Sequence, residues 1–196
     1  MKPVFLIGAV IAVVATAGLA AQHQNDGPAV GNDSGGMKYS PLSQITPANV
    51  TRLTKAWTYD TGAPATGYTI TPIVVGNAMS LPIQGSKIVA LNADAGTEVW
   101  KFDLKTIAAL GTNPTAGGRG ISYWPGTSQL APRIVIATTN GFLVQLEAKT
   151  GTPVPGPEGL VNLATGVMEK FNQPYSTNMP PALYRNLAII AGRTGE

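Results

Sequence analysis

The sequence contains no cysteine among its 196 residues. Disulfide bonds therefore contribute nothing to its stability, although they are common in exported proteins. Lipid attachment through an N-terminal cysteine is excluded for the same reason, so the chain is not a lipoprotein.

Charged residues are also scarce, at 12% of the chain, whereas there are 23 glycines and 16 prolines. This balance favours short strands joined by many turns over helices. The net charge of +3 is small, and the sequence has no run of Lys or Arg interleaved with aromatic residues. We therefore expect no nucleic-acid partner.

The N-terminal residues have the pattern of a secretory signal. Lys2 precedes an uncharged apolar run over residues 4–19, and small residues follow it up to Ala21. This order of basic, apolar and small residues predicts a signal peptide over residues 1–21. An uncleaved membrane anchor is the alternative, because the run approaches the roughly 17 residues that a spanning helix requires.

A repeated hairpin pattern organises the rest of the chain. Residues 88–103, IVALNADAGTEVWKFD, place an Asn/Asp/Gly turn between two extended stretches, which predicts a β-hairpin. A degenerate copy follows 55 residues later and aligns Gly96 with Gly151, and a third begins at Pro180 and Pro181. Further short strands around Gly-Asn turns bring each unit to about four strands, as in a propeller blade.

The pattern therefore predicts an all-β chain of stacked β-propeller blades, because single blades cannot bury both faces of their sheets. An ordinary β-sandwich with a chance likeness between two hairpins is the alternative. The strands are predicted at residues 71–75, 78–82, 87–91, 97–102, 133–137, 142–146 and 187–191.

The region before the first blade is predicted to have little regular structure. Residues 22–36 are rich in Gly, Asn and Asp and indicate a linker or loop. Thr46 followed by Pro47 predicts a short helical turn through about Leu53, with Thr46 as its N-cap. Residues 56–59 are predicted to form a strand.

Four motifs, in order, resemble those of the pyrroloquinoline-quinone (PQQ)-dependent dehydrogenases, periplasmic quinoproteins that oxidise alcohols and sugars. They are YSPLSQITPANVTRLTKAWTYDTG, ALNADAGTEVW, GGRGISYW and GRTGE. The resemblance covers nearly everything from about Asp26 onwards. It implies that residues 22–196 are the N-terminal portion of an eight-bladed propeller, whose blades are locked by docked tryptophans. Trp100 matches the docking tryptophan, whereas the second copy has Pro155 in its place, so that blade is expected to dock differently.

The resemblance also implies a site for PQQ and calcium. Arg119 in GGRG matches an arginine near the quinone oxygens, where its planar fork suits adjacent acceptors; a surface arginine in a glycine-rich loop is the alternative. Glu196 matches the glutamate that binds calcium, a hard cation. The other expected cofactor-binding residues are Asn178, with Thr177 as its substitute, and Arg193, Thr194 and Gly195.

Two features of the chain depart from the family pattern. Asn113 and Pro114 stand where alcohol-oxidising members have a pair of adjacent cysteines, which favours a sugar-type or another branch. Thr69 stands where many relatives place a glutamate near a cofactor carboxylate. The family's catalytic aspartate has no counterpart in these 196 residues, so no catalytic residue is expected in this chain.

The resemblance therefore predicts the front part of a PQQ- and calcium-dependent dehydrogenase located in the periplasm. Such an enzyme would take a hydride from an alcohol, sugar or polyol and pass electrons to a quinone or cytochrome c. A non-catalytic envelope propeller that acts as a scaffold is the alternative. A scaffold would have no need of Arg119 and Glu196, and the lipidated cysteine of that class is missing.

Overall fold

A computed structural model of the protein describes residues 26–33, 35–62, 69–83, 85–117, 119–165 and 175–194. The predicted signal peptide lies outside these residues. Strands dominate the described chain, and three 3-10 helices of three residues each lie at Val50–Arg52, Leu104–Thr106 and Ala108–Leu110. No helix within the described ranges is long and apolar enough to cross a membrane.

The first blade is an antiparallel sheet of four strands that lie side by side in chain order. Its strands are β1 (Ile73–Val75), β2 (Ala78–Ile83), β3 (Lys87–Asn92) and β4 (Glu98–Asp103). Gly76 in the β1–β2 turn has φ +56° and Gly96 in the β3–β4 turn has φ +68°, angles that glycine adopts without a Cβ clash. The four strands predicted for this unit are confirmed to within two residues at each end.

The second blade repeats this topology, which confirms the predicted repeat. Its strands are β5 (Ser122–Trp124), β6 (Arg133–Ala137), β7 (Phe142–Glu147) and β8 (Leu160–Asn162). The strands β6 and β7 begin 55 residues after β2 and β3. The last strand, β8, begins 62 residues after β4, because Pro153 first bridges to Leu146 and a further turn follows.

The third unit consists of two short strand pairs. A hairpin joins β10 (Ala182–Tyr184) to β11 (Leu187–Ile189), and β9 (Tyr175–Ser176) pairs antiparallel with β12 (Arg193–Thr194). The Ser122 hydroxyl donates a hydrogen bond to the Pro181 carbonyl. This bond ties the innermost strand of the second blade to the start of the third unit.

The main hydrophobic core lies between the first and second blades. Ile73 and Ile88 reach it from the first blade, and Ile134 and Ile136 from the second; each is at most 2% exposed. The burial of these side chains depends on both sheets, because either sheet alone would leave this face in water.

Two tryptophans lock successive units together in the same way. The indole Nε1 of Trp57 donates to the Ala93 carbonyl at 3.0 Å, and that of Trp100 donates to the Ala148 carbonyl at 3.0 Å. The ring of Trp57 covers Gly96, and that of Trp100 covers the equivalent turn glycine one blade later. The docking role predicted for Trp100 is confirmed, and Trp57 makes the same contact one unit earlier.

The second blade meets the third unit through a different tryptophan. Trp124, at the end of β5, donates from Nε1 to the Arg185 carbonyl at 2.9 Å, in the β10–β11 turn. The Arg133 guanidinium lies 5.4 Å from the centre of the Trp124 ring. The docking of this blade at the Pro155 position stays a prediction, because the Trp124 contact involves the innermost strand and not Pro155.

The helical turn predicted from Thr46 to Leu53 is shorter than expected, and the N-cap assignment is wrong. Asn49 precedes the 3-10 helix Val50–Arg52, and its side chain accepts from the Thr46 N–H at 2.7 Å. Thr46 contributes its carbonyl, which accepts from the N–H groups of Asn49 and Val50. The bond from the Val50 N–H to the Thr46 carbonyl has α-helical spacing, but the chain continues with i to i+3 bonds and the helix ends at Arg52.

The strand predicted at residues 56–59 is not paired in a sheet in the described structure. Its aromatic side chains pack against the first blade instead: Trp57 docks as above, and the Tyr59 hydroxyl donates to Glu98 Oε2 at 2.7 Å. Side-chain contacts rather than a strand ladder therefore hold this segment.

Candidate cofactor site

Three residues singled out in the sequence, all within the described ranges, fall at one end of the blades. In an antiparallel sheet the connections alternate between the two ends, so the loops leading into β1, β5 and β10 share an end with the β6–β7 turn. Thr69, Arg119 and Asn178 each lie three or four residues before one of these innermost strands. The docking contacts of Trp57 and Trp100 involve the β3–β4 and β7–β8 connections, at the opposite end.

The segment leading to Arg119 is fixed by the end of β6. Ala116 forms an antiparallel bridge with Thr138, and Gly117 donates its N–H to the Ala137 carbonyl at 2.7 Å. The hydroxyls of Thr115 and Thr139 lie 2.7 Å apart and share a hydrogen bond. These contacts seat the start of the glycine-rich loop against the second blade.

Gly117 also brings this loop against Asn178. A Cβ added at Gly117 would lie 3.0 Å from the Asn178 carbonyl carbon and 3.2 Å from its Cα. Only a residue without a side chain allows the two backbones to approach so closely. The structure therefore brings together the loops that carry Arg119 and Asn178, two residues that are 59 positions apart in the sequence.

Arg119 itself is solvent-exposed, whereas Gly120 and Ile121 directly after it are buried. Within the described residues, no hydrogen bond or ion pair restrains its guanidinium. The charged group is therefore available to a ligand, and its position depends on the backbone that carries it. Burial raises the pKa of the Tyr123 phenol, with a smaller contribution from the charge of Asp26, so Tyr123 stays neutral at physiological pH.

Asn178 is exposed, and Thr177 beside it is only 4% exposed. The Thr177 hydroxyl donates to the Ala191 carbonyl at 2.6 Å and accepts from the Met179 N–H at 3.4 Å. Asn178 therefore faces the open side of the loop, and Thr177 holds the loop against the chain before β12.

An open cleft of about 400 Å³ lies between these loops. It is lined by Thr139, Ser176, Thr177, Asn178, Met179, Ala191 and Gly192. Hydroxyl and amide groups share this lining with the apolar side chains of Met179 and Ala191, so the cleft offers hydrogen-bond partners beside apolar surface.

Arg193 and Thr194 lie in β12, next to this cleft. Arg193 pairs with Ser176 and Thr194 with Tyr175, so both backbones lie beside the Asn178 loop. The Tyr175 ring occupies the space where a Cβ on Gly192 would be. Gly195 and the predicted metal ligand Glu196 lie outside the described residues. Among the described residues, no group of three or more His, Asp or Glu could hold a metal ion.

The donor set fits a ligand such as PQQ, a tricarboxylate with two adjacent quinone oxygens. Asn178, Thr139 and Ser176 supply amide and hydroxyl groups to the cleft, and the exposed guanidinium of Arg119 belongs to the loop whose Gly117 contacts Asn178. Gly117 allows its loop to approach the Asn178 backbone, and Gly192 leaves room for the Tyr175 ring. Asn113, at a position of the missing cysteine pair, is exposed, and Pro114 is buried.

Thr139 and Ser176 line the cleft, although no sequence motif marks them. Thr139 belongs to the β6–β7 turn, and Ser176 to a strand of two residues. A lone hydroxyl residue in a turn or short strand has no local pattern. Its role emerges only when the third unit is placed beside the second.

The comparisons with known proteins agree with this architecture. The family model described as "PQQ: Glucose/ethanol/alcohol dehydrogenase, beta-propeller domain" matches residues 28–196. Quinoprotein glucose dehydrogenase A of Acinetobacter calcoaceticus is 30% identical over 193 residues, covering 86% of this chain and 24% of that protein. The glycerol dehydrogenase large subunit of Gluconobacter oxydans is 30% identical over 188 residues, covering 87% of this chain and 25% of that protein.

A solved structure, the quinohemoprotein alcohol dehydrogenase from Comamonas testosteroni, superposes with a TM-score of 0.68 at 26% identity. The match covers 86% of this chain and 23% of that one, so the chain spans about a quarter of the length of the relatives it matches. The family model covers nearly the whole chain, and the blades and the docked Trp100 are those that the resemblance implied. The chain therefore belongs to the PQQ-dependent glucose/ethanol/alcohol dehydrogenase β-propeller family.

Proposed function

We propose that this chain forms the N-terminal part of a periplasmic PQQ- and calcium-dependent dehydrogenase that oxidises an alcohol, sugar or polyol. The observation that carries this proposal is the convergence of the Arg119 loop, the Asn178 loop and β12 at one end of the blades. These three segments are distant in sequence, and each has a residue that the family motifs assign to the cofactor. When bound, PQQ supplies the acceptor for the substrate hydride.

The residues of this chain have binding and orienting roles in that proposal. The Arg119 guanidinium donates to adjacent oxygens of the cofactor, because its planar fork matches two acceptors at once. Asn178 and the backbone of β12 would donate to a carboxylate of the cofactor. Glu196 supplies a carboxylate to calcium, and Gly195 lets the chain approach the cofactor closely.

The proposed location and electron partners rest on other grounds. The basic, apolar and small residues of positions 1–21 support export to the periplasm, where a quinone or cytochrome c would accept the electrons. The 1-butanol dehydrogenase of Thauera butanivorans, 28% identical over 168 residues, carries cytochrome c in its name. The absence of the cysteine pair at Asn113 and Pro114 supports a sugar or polyol substrate over methanol or ethanol.

Two substitutions in the full-length gene product test the proposal, because they act on different parts of the site. Arg119→Lys keeps the charge but loses the fork, so turnover with added PQQ should fall about 10²-fold, as for other lost oxyanion donors. Excess calcium should not restore it. Glu196→Gln removes a charge from the metal site, so calcium affinity should fall and excess calcium should partly restore activity.

Matched variants show whether substitutions of these kinds lower activity through a general loss of folding. Arg52→Lys and Glu158→Gln make the same chemical changes at exposed positions away from the cleft, and they should leave turnover and calcium dependence unchanged. Full turnover in Arg119→Lys, or indifference of Glu196→Gln to calcium, would remove that residue from the site. A protein that binds neither PQQ nor calcium would favour the non-catalytic scaffold.

A further inference from the structure

The segment predicted to be a linker is tied to the inner edge of the first blade. We define residues 26–33 as the strap. Gly27 forms an antiparallel bridge with Val74 of β1, with N–H to carbonyl distances of 2.7 and 3.0 Å. The Asp26 carboxylate accepts from the Gly76 N–H at 2.7 Å. Of the predicted linker or loop, residues 26–33 form a loop, and the unpaired edge of β1 supplies it with partners that local composition does not reveal.

The strap then crosses to the second blade, at the residues that follow Arg119. The Pro28 carbonyl accepts from the Tyr123 N–H at 3.2 Å. A Cβ added at Gly120, whose φ is +138°, would lie 2.9 Å from Val30 Cγ2 and 3.2 Å from the Thr71 carbonyl. Gly120 is thus held between the strap and the chain entering the first blade.

The strap also faces the third unit. A cleft of about 300 Å³ has Pro28, Ala29 and Val30 on one side and Pro181, Ala182 and Leu183 on the other. Beyond it the chain turns back on itself: Asn32, at φ +77°, donates from its side chain to the Tyr39 carbonyl at 2.6 Å. The strap therefore runs along the innermost strands of successive units and ends in a self-bonded loop.

We propose that the strap positions Arg119, with Val30 as the positioning residue that acts through Gly120. Within the described residues the Arg119 guanidinium has no hydrogen bond or ion pair of its own, so its location is set by its backbone. Val30 and Thr71 lie against Gly120 on one side of the loop. The hydrogen bond from the Tyr123 N–H to the Pro28 carbonyl holds the chain three residues after Gly120. This inference rests on the proposed function, in which Arg119 binds PQQ.

A cover for the β1 edge alone would have a different signature. Such a cover would hide unpaired N–H and carbonyl groups and would affect stability only. A positioning role instead couples Val30 to Arg119, so its effect on PQQ affinity should disappear when the guanidinium is absent. Residues in contact or in one network show such non-additive effects, whereas independent sites add.

A double-mutant cycle in the full-length gene product tests this. The apo forms of wild type, Val30→Ala, Arg119→Ala and the double variant would be titrated with PQQ by calorimetry. Hydrogen exchange at the Tyr123 amide would be measured in parallel. Val30→Ala should weaken PQQ binding by about tenfold in the wild-type background and by less than about twofold in the Arg119→Ala background. Val50→Ala, the same change at an exposed position 47% accessible, is the control and should bind PQQ as wild type does.

The outcomes separate the two proposals. Equal PQQ affinity of Val30→Ala and wild type, or an equal loss in both backgrounds, would overturn the positioning role even if the Tyr123 amide exchanges faster. If Arg119→Ala binds PQQ as tightly as wild type, the role of Arg119 in the proposed function fails, and the strap has nothing to position. Strong weakening by Arg119→Ala with no effect of Val30→Ala would leave the proposed function intact and remove only the strap proposal.

Discussion

The indole ring of Trp100 lies over Gly151, in the space that a Cβ on that glycine would occupy. The two residues belong to different blades, and the Trp100 Nε1 bond to Ala148 fixes the ring in place. Gly151 also has φ +70°. A side chain at position 151 is therefore disfavoured for two independent reasons. The positive φ disfavours it within the backbone, and the Trp100 ring of the other blade occupies the space it would need.

Gly151→Ala should destabilise the protein more than the same change at Gly76. Gly76 also has a positive φ, +56°, but no atom lies within 4 Å of an added Cβ, so its substitution costs only the backbone strain of about 1–2 kcal/mol. At Gly151 the displaced indole should add about 1–3 kcal/mol, as overpacking does elsewhere. Urea unfolding of the two variants measures the difference. Equal destabilisation would mean that the ring moves aside freely.

The stability supplied by Asp103 should depend on pH. The Ser86 hydroxyl donates to the Asp103 carboxylate, and this bond holds the pKa of Asp103 below its usual value of 3.8, with a further backbone bond from Lys105. A carboxyl with a lowered pKa stabilises the fold above its unfolded-state pKa, and the stabilisation disappears as the pH falls through the folded-state pKa.

Ser86→Ala should therefore lower stability more at pH 7 than at pH 2, because the contribution of the bond declines once the pH is below 3.8 and is lost as the pH falls through the lowered folded-state pKa of Asp103. Thermal unfolding of both proteins across this range measures the effect. Ser128→Ala changes an exposed serine outside this contact and should give the same small difference from wild type at both pH values. A Ser86→Ala deficit that does not change with pH would show that the bond does not depend on the carboxylate charge.

The central strands of each blade could be predicted because their cues are local. Branched apolar residues in β6 and β7 flank the Asn140–Gly141 turn, and a second copy of the pattern fixed the period. The other strands lack such cues. β9 and β12 have two residues each, and Pro153 and Pro155 obscure the approach to β8.

The site was predictable only in part, since its residues come from loops whose partners are remote. The motif around Arg119 indicated a binding role, but its contact with the Asn178 loop depends on Gly117 and on the packing of two units. The pairing of Gly27 with Val74 is likewise set by the free edge of β1. Trp57 was within a recognised motif, yet its docking turn lies 36 residues away at Ala93.

Thr177→Val should weaken the link between the Asn178 loop and the chain before β12. Valine has the same shape but cannot donate to the Ala191 carbonyl. Because Ala191 is exposed and water can replace the donor, the loss should be near the usual net value of about 1 kcal/mol.

The Thr106 hydroxyl, which donates to the Asp103 carbonyl at 2.8 Å, provides the control for this change, because it is exposed and remote from the cleft. Thr106→Val should leave PQQ affinity unchanged, whereas Thr177→Val should weaken it in a calorimetric titration. Equal affinities of the two variants would show that Thr177 supports the fold but not the cofactor site.

Gly192→Ala should disturb the cofactor site by displacing β12. Gly192 is outside the left-handed region, so alanine brings no backbone strain, but its Cβ would overlap the Tyr175 ring. Tyr175 belongs to β9, which pairs with Arg193 and Thr194 of β12. The overlap should therefore separate the two strands and move the backbone that precedes the proposed calcium ligand. We expect PQQ and calcium affinities each to fall by about tenfold, as overpacking of 1–3 kcal/mol implies.

Shortening the aromatic side chain should reverse this effect. In the double variant Gly192→Ala/Tyr175→Ala the added Cβ has room, so calcium affinity should recover toward that of Tyr175→Ala alone. Calorimetric titration of the four proteins of this cycle with calcium gives the coupling free energy between positions 175 and 192. If Gly192→Ala weakens calcium binding equally with and without the Tyr175 ring, the ring does not set the position of β12. The loss would then have to arise from the backbone of residues 191–194 itself.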